Sequence, residues 1–149
     1  MADPTSIRGL PVPDLLTELI ATSRWKQPDE ATLCSVVTMV PDPFDFLLST
    51  AAMESESRTF IADDPETSKL FREYRGNSAT DHPDLPWLDI DRAFFIAVNR
   101  NIGDDVAIAL DFRSSVTDPR VTASEWQDDG VWWHEVSPTF TEFVRLIRV

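Results

Sequence analysis

The chain has few of the residues from which enzyme sites are most often built. Its 149 residues include one cysteine, two histidines and four glycines. A single cysteine can form neither an intrachain disulfide nor a thiolate metal cluster. The glycines are isolated from one another, so the chain has no closely spaced phosphate-cradling loop and no G-x-S-x-G nucleophile elbow. We therefore expect neither a bound metal nor a cofactor.

Basic residues are also scarce. Lysine and arginine number 13 against 26 aspartates and glutamates, which gives a net charge of -13. Such a charge repels phosphate backbones and anionic lipids, so we expect no nucleic-acid and no membrane partner. It suits a protein partner with a basic surface, although acidic residues also serve solubility alone. The one basic cluster, Lys69, Arg72 and Arg75, either meets the negative end of a predicted helix or binds a ligand.

Long apolar runs are missing as well. No window approaches the roughly 18 apolar residues of a membrane span, and the N-terminus lacks the basic and apolar regions of a secretion signal. A cytoplasmic location is the expectation. Cys34 stands beside Leu33, Val36 and Val37 in a stretch of helical period, so we predict that it is a small buried side chain.

The C-terminal part has the pattern of a sheet followed by a helix. Four apolar segments are separated by turn-forming residues, and they span residues 93–98, 106–112, 121–126 and 131–136. Ser137 and Pro138 then have the character of an N-cap and a first helical residue. The apolar residues of that helix follow at helical spacing: Phe140, Phe143, Val144 and Ile147.

The N-terminal part has helical periodicity. Apolar residues recur at i, i+3, i+4 and i+7 after three prolines, which predicts helices that begin near Pro13, Pro28 and Pro43. In the third helix Asp42 is the predicted N-cap, and the apolar stripe comprises Phe44, Leu47, Leu48 and Ala51. A fourth helix is predicted over residues 64–75.

These patterns predict an α+β fold in a single domain over residues 1–149, because neither half has obvious cover for its own apolar face. A helical half covers residues 1–76, a connecting loop covers 77–87, and a sheet with a closing helix covers 88–149. We expect a mainly antiparallel sheet of about four strands, packed by the N-terminal helices and the C-terminal helix.

Two groups of polar residues could carry chemistry. His134 could act with paired carboxylates in a hydrolase, or it could be a packed or half-exposed residue of the sheet. Gly103, Asp104 and Asp105 are interpreted as a turn, since a polymerase-type metal site needs further carboxylates and a basic channel. Four more aspartates lack the spacing of a calcium loop and are interpreted as surface residues of strand ends and turns: Asp111, Asp118, Asp128 and Asp129.

The chain has five tryptophans, two of them adjacent. Trp132 and Trp133 lie on a predicted strand, where neighbouring side chains point to opposite faces, so we expect one of them at or near the surface. Tryptophan is enriched in binding hot spots. The candidate patch for a cationic protein partner comprises Trp132, Trp133, Glu125, Asp128, Asp129 and Glu135. The alternative is that a loop or helix of the N-terminal half covers the outer ring.

Three motifs follow one another in the C-terminal half: GDDVAIALDFR, DPRVTASEW and W-x-E-V-S-P-T-F-x-x-F-V. Over residues 88–149 this order resembles the SUKH superfamily, a group of bacterial toxin-immunity proteins and eukaryotic cell-wall regulators. The resemblance implies an α+β fold and binding without catalysis, and many members neutralise nuclease-like toxins by direct contact. It implies mainly structural roles for the matching positions Gly103, Asp104, Asp111, Trp126, Pro138, Phe140 and Phe143.

Three functions remain open at this point. The first is a non-catalytic protein-binding domain, specifically a bacterial immunity protein that neutralises a toxin. The second is a housekeeping scaffold or regulatory interaction domain without a toxin partner. The third is a carboxylate-dependent hydrolase that uses His134.

Overall fold

A computed structural model describes residues 6–38, 40, 43–58, 85, 88–89, 92–101, 106–127 and 130–148, without the side chains of residues 58, 126, 127, 130 and 131. The first elements are β1 (Ser6–Ile7), β2 (Leu10–Pro11), α1 (Asp14–Ala21), α2 (Glu30–Val36), β3 (Phe44–Phe46) and α3 (Thr50–Arg58). The later ones are β4 (Ala93–Asn99), β5 (Ala107–Asp111), β6 (Arg120–Gln127), β7 (Gly130–Ser137) and α4 (Phe140–Ile147).

Some predicted features lie outside the described residues. They are the helix over residues 64–75 with Lys69, Arg72 and Arg75, all of the loop over 77–87 except Leu85, and the turn at Gly103, Asp104 and Asp105.

The predicted α+β fold is confirmed. Strands β3 to β7 form one antiparallel sheet in the order β3-β4-β5-β6-β7, with helices of the N-terminal half and α4 packed on it. Each of the four strands predicted in the C-terminal half is present, with ends that differ by at most one residue. The fifth strand, β3, comes from the N-terminal half and pairs with β4 from Phe44 opposite Asn99 to Phe46 opposite Ala97.

The helix predicted to begin near Pro43 is wrong. Residues 44–46 form β3 with a buried, exposed, buried pattern, and the helix α3 starts only at Thr50. The tertiary pairing of β3 with β4 overrides the local helical spacing, because Phe44 and Phe46 are then both buried on one face of the sheet. Leu48, which the helical stripe placed in the core, is exposed.

The predicted cap of the last helix is also wrong by two residues. Ser137 is the last residue of β7, and α4 begins at Phe140 with Thr139 as its N-cap. The Thr139 hydroxyl accepts a hydrogen bond from the backbone N–H of Glu142 at 3.2 Å. The predicted apolar stripe of α4 is confirmed, because Phe140, Phe143, Val144 and Ile147 are all buried.

One face of the sheet is covered by aromatic packing against α4 and the chain after α1. The ring centroids of Trp25 and Phe46 lie 5.0 Å apart, and those of Trp25 and Phe140 lie 5.8 Å apart. Phe46 also stacks on Phe143 at 6.3 Å. The Trp25 indole N–H donates to the carbonyl oxygen of Leu47 at 2.8 Å, which satisfies both buried polar groups.

The opposite face carries small residues on its central strands. Ala109 and Thr122 are opposite each other on β5 and β6, and Ser124 lies opposite Trp133 on β6 and β7. All of these residues are buried. The small side chains leave room for the Trp133 ring, whose centroid lies 6.1 Å from that of Phe95 on β4.

The backbone groups on the outer edge of β3 are satisfied by a side chain. Gln27 accepts a hydrogen bond from the N–H of Phe46 at 2.7 Å and donates one to the carbonyl oxygen of Phe44 at 3.0 Å. These two bonds replace the pairing that a further strand would make.

Candidate functional site

The β6–β7 hairpin holds most of the residues that the sequence nominated for partner binding. In its register Glu125 is opposite Trp132, Ala123 is opposite His134 and Thr122 is opposite Glu135. Asp128 and Asp129, between the two strands, lie outside the described residues. Because directly opposite residues share a face of an antiparallel sheet, Glu125 and Trp132 are on one face and Glu135 is on the other.

The two adjacent tryptophans differ in exposure. Trp133 is only 1% exposed, whereas Trp132 is half-buried. The Trp133 ring therefore contributes no accessible area to a binding patch, because it packs into the sheet face that holds Phe95. Its indole Nε1 is buried, and no hydrogen-bond partner for it is found among the described residues. Trp132 is the ring that a partner can reach.

A third residue joins Glu125 and Trp132 on their face of the hairpin. His134 Nε2 lies 2.8 Å from Glu125 Oε2, and both side chains are partly exposed. This distance is that of a hydrogen bond between the imidazole and the carboxyl group. We call Glu125, Trp132 and His134 the hairpin patch.

Glu135 is engaged on the other face. Its Oε1 lies 4.0 Å from Nη1 of Arg120, and its side chain is about half exposed. The six nominated residues thus do not form one surface within the described part of the hairpin. Glu125 and Trp132 lie together, while Trp133 and Glu135 lie on the opposite face.

Asp111 is not the surface residue that the sequence suggested. It is fully buried at the end of β5, where it is opposite Arg120 at the start of β6. Its carboxylate accepts from Arg120 Nη2 at 2.7 Å, from Arg113 Nη2 at 2.9 Å and from the Arg113 backbone N–H at 3.0 Å. Local charge pairing explains the burial, since a buried carboxylate requires hydrogen-bonded cations.

The two arginines also determine the ionisation of this carboxylate. Burial disfavours the charged form of Asp111, but the hydrogen bonds from Arg113 and Arg120 outweigh it. The net result is a pKa of Asp111 below its ordinary value of 3.8. The carboxylate is therefore a structural anion that clamps the β5–β6 connection, and this geometry leaves it no free oxygen for catalysis.

A groove between α2 and β3 was missed by the sequence analysis. It has a volume of about 100 Å³. Its floor is apolar and consists of Leu33, Val37, Val40, Pro43 and Phe44. Its rim consists of Gln27, Glu30, Cys34 and Arg100. We call this cavity the α2–β3 groove.

Cys34 at this rim is exposed, so the prediction of a buried thiol is wrong. Helix α2 ends at Val36, and its buried side is occupied by Leu33, with Val37 buried just beyond its end. Cys34 is one position further round the helix from Leu33, which turns it toward the groove and solvent.

Arg100 completes the rim from the end of β4. Its Nε lies 2.8 Å from Asp45 Oδ1, its Nη2 donates to the Phe44 carbonyl oxygen at 3.3 Å, and its Nη1 lies 3.8 Å from Glu30 Oε1. The hydrogen bond to Asp45 is the main reason that the pKa of Arg100 is raised. No local spacing signals this cluster, because Arg100 and Asp45 meet only through the pairing of β3 with β4.

Within the described ranges, no group of three or more His, Cys, Asp or Glu side chains could hold a metal ion. No helix in the same ranges is long and apolar enough to cross a bilayer. Comparisons of the chain with protein-family models, with curated proteins and with solved structures find no match.

Proposed function

We propose that this chain is a non-catalytic protein-binding domain that acts as a bacterial immunity protein and neutralises a toxin by direct contact. The observation that carries the proposal is the hairpin patch, where Trp132 is held half-buried opposite Glu125 on the last two strands of a chain with a net charge of -13. The motif resemblance of residues 88–149 to the SUKH superfamily supplies the class of partner.

The hairpin patch has the composition of a binding surface for a cationic protein. A large ring offers contact area at a small loss of conformational entropy, and tryptophan is over-represented among residues that dominate binding energy. The neighbouring carboxylate and the acidic chain favour encounter with a basic surface and disfavour acidic competitors. Many toxins that act on nucleic acids carry such a basic surface, because they must bind phosphate.

The engagement of the carboxylates supports binding over hydrolysis. Among the described residues, the acid nearest to His134 is Glu125, and the two are bonded to each other. Asp111 is fully buried and is occupied by two arginines. A carboxylate-dependent hydrolase needs at least two acids that converge on an open site beside the imidazole, and the described part of the hairpin offers one.

An immunity role predicts that a gene beside this one encodes a toxin, and the test uses the product of that gene. Its expression alone should stop bacterial growth, co-expression with this chain should restore growth, and the two purified proteins should form a stable complex. Growth arrest that persists on co-expression, or the absence of a complex, would contradict the immunity role. A complex with a non-toxic cellular protein in place of the toxin would indicate the scaffold function instead.

The contact surface is tested in the same complex. Trp132→Ala should weaken binding about tenfold or more, which is the loss typical of a hot-spot ring. Val116→Ala is the matched control, because Val116 is an exposed apolar residue on the β5–β6 connection, outside the hairpin patch. Equal affinity of both variants would exclude the hairpin patch as the contact.

A further inference from the structure

We propose that the α2–β3 groove receives one aliphatic side chain of a protein partner, and that a lysine or arginine flanks this side chain. The inference rests on the proposed function only in assuming a protein partner. It adds a second contact region, because the groove lies beside β3, at the edge of the sheet opposite to β7.

The size of the groove selects a side chain over a small molecule. Its volume is about 100 Å³. Pockets for cofactors and drug-sized ligands start at roughly 300 Å³, whereas a cavity of roughly 150 Å³ is enough for benzene. The α2–β3 groove thus has room for one branched aliphatic group. Its floor suits such a group, because Leu33, Val37 and Phe44 present buried apolar atoms.

The charge at the rim selects a cation beside the aliphatic group. The side chains of Glu30 and Asp45 are 71% and 55% exposed, and both pair with the single guanidinium of Arg100. Asp45 does not line the groove but pairs with the rim residue Arg100, so among the described residues two carboxylates share one cation and give the rim a surplus of negative charge. A lysine or arginine of the partner would meet this surplus, whereas an aspartate or glutamate would be repelled.

The same charge disfavours a second copy of this chain as the occupant. Two copies would each carry a net charge of -13, and their mutual repulsion opposes association. A partner with a basic surface is attracted by the same negative potential that repels a second copy of the chain.

The groove is already formed in the free chain. Gln27 is fixed by its two hydrogen bonds to the β3 backbone, and Arg100 is fixed by Asp45 and by the Phe44 carbonyl oxygen. Because these rim side chains are held in place, binding loses little of their conformational entropy.

The native thiol of Cys34 reports occupancy of the groove directly, because it is exposed at the rim and is the only cysteine in the chain. The alkylation rate by uncharged iodoacetamide is followed by mass spectrometry. The probes are three blocked dipeptides: acetyl-Leu-Lys-amide, acetyl-Gly-Lys-amide and acetyl-Leu-Glu-amide. For a dissociation constant on the order of 10 mM, about 20 mM acetyl-Leu-Lys-amide slows alkylation about threefold.

The other two dipeptides separate the two parts of the proposal. Acetyl-Gly-Lys-amide should leave the rate unchanged, since it has no aliphatic group, and acetyl-Leu-Glu-amide should protect less than acetyl-Leu-Lys-amide. Equal rates with and without all three peptides would overturn the proposal. Equal protection by the two lysine peptides would overturn it as well, because the effect would then be charge alone.

A double variant tests the charge selection. Glu30→Gln with Asp45→Asn keeps the shape of the rim and removes both carboxylates. In this variant the Leu-Lys and Leu-Glu peptides should protect Cys34 equally, whereas in the native chain their protection should differ by about two- to fivefold. Glu18→Gln is the control, because Glu18 is an exposed acid of α1 outside the groove. A preference for the lysine peptide that survives in the double variant would contradict the rim's role. None of these assays requires a toxin, so their failure and the failure of growth rescue are separate results.

Discussion

Arg120 Nη2 lies 2.7 Å from Oδ2 of Asp111, and the two residues are direct partners across β5 and β6. The contact joins the last residue of one strand to the first residue of the next, so it closes the connection between them. Arg113 approaches the same carboxylate from within that connection. The stability of this end of the sheet therefore depends on one buried anion.

The first prediction concerns the loss of that anion. Asp111→Asn should lower the free energy of unfolding by about 3–5 kcal/mol, because it removes the buried anion that the largely buried guanidiniums of Arg113 and Arg120 share. Urea unfolding followed by circular dichroism measures the loss. Glu18→Gln removes an exposed carboxylate and should change stability by less than about 0.5 kcal/mol. Similar unfolding midpoints for the two variants would show that the Asp111 cluster is not stabilising.

The second prediction is a dependence of stability on acid. The pKa of Asp111 is lower in the folded chain than its ordinary 3.8, so folding favours the ionised form. This contribution is fully present above the ordinary pKa and is lost as the pH falls from about 4 through the lowered folded pKa. Urea unfolding between pH 6 and pH 3 should show a steeper loss for the native chain than for Asp111→Asn. Parallel curves would mean that other carboxylates account for acid sensitivity.

The third prediction concerns the start of α4. Thr139→Ala should destabilise the chain by about 0.5–2 kcal/mol, because the N–H of Glu142 loses its acceptor. Thr139→Ser keeps the hydroxyl and should retain most of the stability. Thermal unfolding of both variants makes the comparison. If serine and alanine were equally destabilising, the loss would come from the threonine methyl group and not from the cap.

The fourth prediction concerns the aromatic face of the sheet. Trp25→Phe keeps a ring between Phe46 and Phe140 but removes the indole N–H that donates to the Leu47 carbonyl oxygen. Leaving this buried carbonyl without a donor should lower the free energy of unfolding by about 1–3 kcal/mol, and the smaller ring should lower it further. Chemical denaturation is the measurement. A variant as stable as the native chain would indicate that water satisfies this carbonyl.

The strands of the C-terminal half could be predicted because each is an apolar run between turn-forming residues. The run that contains Phe94 and Phe95 and the run that contains Ile108 and Leu110 are buried on both faces, so their composition alone identifies them. The three residues of β3 could not be identified in this way. Their alternation is too short to outweigh the helical spacing from Phe44 to Ala51, and only the pairing with β4 decides between the two.

The site was less predictable than the fold. Strand alternation correctly separates Trp132 from Trp133, but it does not say which ring is buried. That depends on Phe95 and on the small residues Ser124 and Thr122, which come from other strands. Asp111 was misjudged for a similar reason, since its partner Arg120 lies nine residues away and reaches it only through the β5–β6 register. The α2–β3 groove requires α2, β3 and Arg100 together.

The two hydrogen bonds that Gln27 makes to β3 have a consequence for self-association. An uncovered strand at the edge of a sheet is a template on which another chain can add, and this is a common route to aggregation and amyloid. In this chain the amide of Gln27 occupies the outward N–H of Phe46 and the outward carbonyl of Phe44. Within the part of the chain that the structure describes, one side chain thus occupies the backbone groups on which a further strand would pair with β3.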